Sequence, residues 1–254
     1  MVAARPLKHQ EVTMAVTNKR RWAGLACLTL ALCLSLPGAA WSYTVACVGD
    51  SLTDYGYARY MDAICSGNTT YDWNAIDDGL PGFKAQDIYV YSAAHGWKNQ
   101  GADIVLIMAG TNDMVHGADK DLTSYTNSVV SAVQRIVDYY TFNNADQRPK
   151  VIVSAVPPSL DGGITTRADY YNKELENALK GYGVDIFITS NWYEFLDTNS
   201  GTAKSSLYSD YLHPTQDGYY AMAENFFDAI RALFQPDYFK TDSYLHKMPD
   251  YASF

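Results

Sequence analysis

Ser51 stands in VACVGDSLTDYGYARY (residues 45–60), where an apolar, strand-like run gives way through Gly49-Asp50 to a helical pattern. As a lone residue it reads equally well as a helix N-cap or as a nucleophile held open at a strand end. Three other stretches bear on the choice. DDGLPGFKAQD (77–87) brings Gly79 and Gly82, GTND (110–113) brings Asn112, and SDYLHP (209–214) sets Asp210 three residues before His213. Together these are the parts that acyl transfer needs. A serine hydroxyl is a poor nucleophile near neutral pH unless a base takes its proton during attack. Histidine, whose ordinary pKa lies near operating pH, is the natural base. An aspartate at i−3 can reach the other ring nitrogen across one turn, fixing the tautomer and stabilising the imidazolium. The tetrahedral oxyanion then needs preorganised donors, for which the candidates are the backbone N–H groups of Ser51 and Gly82 and the Asn112 amide. Glycine at 82 also keeps any side chain out of the substrate's path.

Each stretch has a bland reading of its own: a capped turn at Ser51, a plain turn at 110–113, a capped helix start with a surface histidine at 210–213. Their shared placement at strand-to-helix junctions favours chemistry. The strands are expected at 44–48, 72–76, 103–109, 150–156 and 184–189. The third and fourth are apolar almost throughout, as strands covered on both faces of a parallel sheet should be. Leu122, Tyr125, Val129, Val133, Ile136 and Tyr140 recur at helical spacing, and a second helix is expected over about 166–181, ending near Gly181 and Gly183. The last helix is expected to open with Pro214 in its first turn, with Tyr219, Met222, Phe226, Ile230 and Leu233 on one side. This βαβα alternation predicts an α/β three-layer sandwich around a five-stranded parallel sheet with right-handed crossovers. Ligands of such sheets bind beyond the carboxyl ends of the strands, which is where the candidate residues fall. Residues 235–254 lack periodicity and are expected to form an irregular tail.

The 254 residues are 48% hydrophobic and 19% charged, enough for one sizeable core and one domain. Lys19, Arg20 and Arg21 precede an apolar run from Trp22 to Leu36 and then PGAAWS (37–42), the pattern of a secretory signal peptide. Fifteen apolar residues are short for a bilayer crossing. Residues 1–42 are therefore expected to be a signal peptide cleaved after Ala40 or Ser42, with Met14 a possible start. The product would be a secreted or periplasmic domain over 43–254, without a stable membrane anchor. That domain holds 14 basic against 27 acidic residues, a net charge of −13. Such a surface repels phosphate backbones and anionic membranes, so no nucleic-acid partner is expected. Cys47 and Cys65 remain after cleavage, and either a disulfide or two buried thiols fits their positions. No CxxC or histidine cluster suggests a metal site, and no cofactor is expected.

The four blocks VGDSLTD, DDGLPG, AGTNDM and SDYLHP resemble those of the SGNH hydrolase family, also called GDSL-type esterases and lipases, over about Tyr43–Leu233. The resemblance implies a flavodoxin-like sheet of order 2-1-3-4-5 and ester hydrolysis through an acyl-enzyme. It implies catalytic roles for Ser51, Asp210 and His213 and an oxyanion hole of Ser51, Gly82 and Asn112. The second block departs from the family's Asn-x-Gly-x-Ser-Gly, with Asp77 and Pro81 replacing the Asn and Ser. Pro81 lacks an N–H but leaves the Gly82 amide free.

Of the other histidines, His95 lies on a helix, His116 in the loop after Asn112 and His246 in the tail; none is expected to be catalytic. Asp50 and Asp113 are expected to hold loops through backbone amides. Trp192, Tyr193, Phe195, Tyr208, Tyr211, Tyr55 and Tyr57 either pack over the sheet edge or form a rim for sugar rings or an acyl chain. With no room for a lid domain, an open cleft and short-chain O-acetyl esters of carbohydrates, small or polymeric, are the expectation. A lysophospholipase, thioesterase or arylesterase shares the same fold and triad. A catalytically silent carbohydrate-binding module on this scaffold would lack one of the site residues, and none is missing.

Overall fold

The structure, a computed structural model, describes residues 42–67, 72–95, 101–142, 148–235 and 244–248. The expected signal peptide lies, but for Ser42, outside the described residues. Among those residues no helix is long and apolar enough to cross a membrane.

Strands β1 (Ser42–Gly49), β2 (Asp72–Gly79), β3 (Ile104–Met108), β4 (Lys150–Ser154) and β5 (Ile186–Ile188) run parallel in the order β2-β1-β3-β4-β5. All five side chains of β3, IVLIM, are buried, as are the last four of β4. A strand buried on both faces has to be apolar throughout, and these two are. Between the strands run α1 (Ala58–Ser66), α2 (Ala85–His95), α3 (Thr111–His116), α4 (Leu122–Phe142) and α5 (Gly162–Leu179). Beyond β5 come α6 (Ser190–Tyr193) and α7 (Gln216–Phe234). The long helices form two outer layers, α1 with α7 and α2 with α4 and α5. In α4, Val129, Val133, Ile136 and Tyr140 supply the buried stripe read from the sequence.

Most strand ends fall within one or two residues of expectation, with β4 closing at Ser154 and β5 spanning Ile186–Ile188, and four departures are larger or change a role. β2 runs on to Gly79, because its pairing with β1 continues in register to Gly49↔Gly79. α5 begins at Gly162 rather than near 166. Its N-cap is Asp161, whose Oδ1 accepts from Gly163 N (2.8 Å) and Ile164 N (3.0 Å); two glycines in the first turn concealed that start. Pro214 lies just outside α7, whose N-cap is Thr215, and it bridges instead to Tyr208. The region after 235 is not wholly irregular, for β8 (Leu245–Lys247) adds to β5 antiparallel and makes the sheet six-stranded. An open edge presents unpaired backbone groups, and three residues suffice to cover those of Ile186–Ile188. A separate two-stranded ribbon, β6 (Leu196–Asp197) with β7 (Thr202–Ala203), leads to a 3₁₀ turn at Ser205–Leu207.

Candidate active site

β1 ends at Gly49, and the next residues form a tight turn rather than a plain helix start. Thr53 N and Asp54 N both donate to Asp50 O at 3.0 Å, and Tyr57 N donates to Leu52 O at 3.1 Å. That last bond belongs to a π-helical turn over Thr53–Tyr57, which α1 follows directly. Such π turns recur at functional sites. The buried Tyr57 ring stacks on Phe226 at 4.4 Å, pinning the turn to α7. Ser51 is left half-buried at the strand end.

Its hydroxyl meets His213 from the other end of the chain, with Ser51 Oγ 3.1 Å from Nε2. His213 Nδ1 lies 2.9 Å from Asp210 Oδ2. A carboxylate only accepts, so Nδ1 carries the proton and Nε2 is left to accept from the serine. Asp210 Oδ1 accepts from the Leu212 and His213 amides, each at 2.7 Å, so the i, i+3 pair meets across one turn as expected. Partial burial alone pushes this carboxyl up. The His213 and Leu212 amides and the His213 ring together outweigh that, holding it below the usual carboxylate range.

The two loops flanking Ser51 belong to β2 and β3, the neighbours of β1 on either side. Leu80 N donates to Gly49 O at 2.9 Å, tying the β2 loop to the serine's strand. Gly82 has φ +78°, a conformation L side chains rarely adopt, and an added Cβ there would meet nothing within 4 Å. Asn112 sits in the first turn of α3, 8% exposed, with Nδ2 donating to Phe83 O at 3.1 Å. An amide nitrogen carries two hydrogens, so one stays available. The Ser51 and Gly82 backbone N–H groups have no backbone partner among the described residues. All five candidate residues therefore gather at one carboxyl edge of the sheet, four from loops and Asn112 from the first turn of α3.

Asp50 and Asp113 act on loops, as expected. Asp50 Oδ1 accepts from Leu52 N (3.1 Å), and Asp113 Oδ2 accepts from Ala85 N at the start of α2 (2.8 Å). Burial pushes both carboxyls from 3.8 up to about 6, against the pull of those amides. His116 closes α3 and is exposed, His95 ends α2, and His246 lies on β8 with Nδ1 2.6 Å from Glu176. Cys47 and Cys65 are free and buried; burial pushes both thiols up, Cys65 to about 12. Among the described residues no group of acidic, histidine or cysteine side chains is arranged to hold a metal.

The aromatics expected as a rim mostly pack inward. Tyr57, Trp192, Phe195 and Tyr208 are buried, with Phe195 and Tyr208 edge-to-face at 5.8 Å. Tyr193 and Tyr211 are exposed; the side chain of Tyr55 lies outside the described residues. Tyr193 stacks on Tyr244 at 5.4 Å, a contact that depends on β8. Pro158–Leu160, which binds the turn carrying Asp210 and His213, was not singled out in the sequence. Its PSL sequence reads only as a connection and carries no chemical signature.

The model of the GDSL-like Lipase/Acylhydrolase family matches residues 47–221. No curated protein matches the chain. Among solved structures, the acetyl xylan esterase AlAXEase is similar at 18% identity and a TM-score of 0.60, covering 74% of this chain and 99% of its own. The acetylxylan esterase Axe2 from Geobacillus stearothermophilus is similar at 16% identity and a TM-score of 0.59, covering 72% and 92%. At these identities the likeness is one of fold.

Proposed function

Because the chain belongs to the GDSL-like lipase/acylhydrolase family, we propose that it is a secreted serine esterase working through an acyl-enzyme. The observation that carries this reading is the chain of hydrogen bonds from Ser51 Oγ to His213 Nε2 (3.1 Å) and from Nδ1 to Asp210 (2.9 Å). His213 takes the Ser51 proton as Oγ attacks the ester carbonyl, and Asp210 stabilises the imidazolium so formed. The carbonyl oxygen becomes an oxyanion held by the Ser51 and Gly82 amides and by the Asn112 side chain. His213 then protonates the departing alcohol, leaving an acyl group on Ser51. Water, deprotonated by the same histidine, attacks that ester in the second half-reaction and releases the acid. No step calls for a cation.

The substrate class we propose is a short, chiefly acetyl, ester of a carbohydrate. Support comes from the expected export, from the exposure of the His213 and Asp210 side chains (39% and 49%), which suits an alcohol portion too large to enclose, and from the acetylxylan esterases of like fold. The test is a series of p-nitrophenyl esters from C2 to C16 run beside acetylated xylan. Preference for C2 and release of acetate from the polymer support the reading. A preference for C12–C16, with the polymer untouched, replaces it with a lipase or lysophospholipase.

A further inference from the structure

The turn carrying Asp210 and His213 has no regular structure beyond the Tyr208–Pro214 bridge, and its two functional side chains are well exposed. Its internal bonds are few. Ser209 N and Oγ donate to His213 O at 2.8 and 2.9 Å, and Asp210 receives the two amides already described. Among the described residues, hydrogen bonds from 208–213 to remote parts of the chain reach two places. One is Ser51. The other is Pro158–Leu160, in the connection from β4 to α5. There the Tyr208 hydroxyl donates to Pro158 O, Ser159 Oγ donates to Tyr211 O at 2.5 Å, and Leu160 N donates to the same carbonyl at 2.9 Å.

Ser159 is itself firmly held. It is 1% exposed, its Oγ accepts from Asp161 N (3.0 Å), and its N–H and carbonyl both bond Thr165 Oγ1 (3.0 and 2.7 Å). Thr165 belongs to α5, and the two prolines before Ser159 restrict the backbone leading in from β4. A rigid segment thus grips an otherwise loosely supported one, on either side of Asp210. We propose that Ser159 and Tyr208 are positioning residues for His213, clamping its turn so that Nε2 stays in line with Ser51 Oγ. The inference rests on the esterase reading above. Supporting contacts of this kind matter because an ångström of misplacement at a reacting group can cost about a hundredfold in rate.

The test compares Ser159→Ala, Tyr208→Phe and the control Thr166→Ala, whose exposed hydroxyl bonds Gly162 O on α5 at 2.9 Å. Tyr208→Phe keeps the ring packing on Phe195, so it stands if Ser159→Ala folds poorly. Steady-state kinetics on p-nitrophenyl acetate, thermal melts and the far-downfield proton resonance of the His213 Nδ1–Asp210 bond are read together. We expect kcat to fall about tenfold in each clamp variant with KM within about twofold. The melting temperature should stay near that of the wild type, and the downfield resonance should shift or broaden. The control should match the wild type in all three. Unchanged kcat in both clamp variants overturns the positioning role, as does a lost rate with an unaltered resonance. Full turnover in Ser51→Ala on the same ester is a separate result, and it overturns the esterase reading itself.

Discussion

Asp50 directly precedes the proposed nucleophile with its carboxyl wholly out of water. Oδ1 accepts from Leu52 N, while Oδ2 makes no hydrogen bond of good geometry. Burial lifts its pKa from 3.8 to about 6, and the Leu52, Thr111 and Asn112 groups only soften that rise. The native carboxyl keeps its proton up to about pH 6, whereas the unfolded one releases it near 3.8. Between those values the native state binds more protons, so stability is lost as pH rises. Two pH units correspond to about 3 kcal/mol. Asp50→Asn keeps an oxygen for Leu52 N and places an amide, not a charge, near the buried Thr111 Oγ1, which makes no hydrogen bond of good geometry in the native protein. Losing the charge-assisted bond costs about 1 kcal/mol. The variant should therefore be about 2 kcal/mol more stable than wild type at pH 7.5 and no more stable at pH 4. Urea unfolding of both proteins, in half-unit steps across that range, reads the difference directly. Asp113 contributes the same sign to both proteins and largely cancels. A stability difference that does not change with pH, or a less stable variant at pH 7.5, refutes the argument.

Asn112→Ala should raise the barrier by about 2.7–4 kcal/mol in kcat, the cost of one oxyanion donor, checked by steady-state kinetics on a C2 ester. Asp210→Asn should lower kcat severely yet less than Ser51→Ala, because it removes an orienting group and leaves the base; equal losses would argue against that division. Gly110→Ala should destabilise the fold by more than about 2 kcal/mol in urea titrations. Its φ is +113° and the new Cβ would come within 2.8 Å of the Tyr171 ring, whose hydroxyl holds Ala109 O at 2.7 Å. Prolonged EDTA treatment should leave the rate unchanged, since amides rather than a Lewis acid are proposed to hold the oxyanion.

Much of this was legible in the chain because the informative residues obey local rules. β3 and β4 announce themselves as unbroken apolar runs, and the site residues fall where those and their neighbours end. Asp210 and His213 could be paired from spacing alone, since a turn brings i and i+3 together. What escaped depends on tertiary partners. Three residues of β8 carry no period and gain their structure from the open edge of β5. Tyr208 and Phe195 look like rim aromatics in sequence, but the path of their loop turns both rings inward. Ser159 is one more serine in a connection until the fold brings it against Tyr211, 52 positions later.

Ser51 is proposed to be a nucleophile activated by His213. A fluorophosphonate probe followed by peptide mapping tests it most directly, because only an activated serine displaces fluoride at a useful rate. One label per chain is expected, on Ser51, lost in Ser51→Ala and greatly slowed in His213→Ala, with esterase activity falling in step. Labelling absent from Ser51, together with ester hydrolysis that persists in Ser51→Ala, would contradict it.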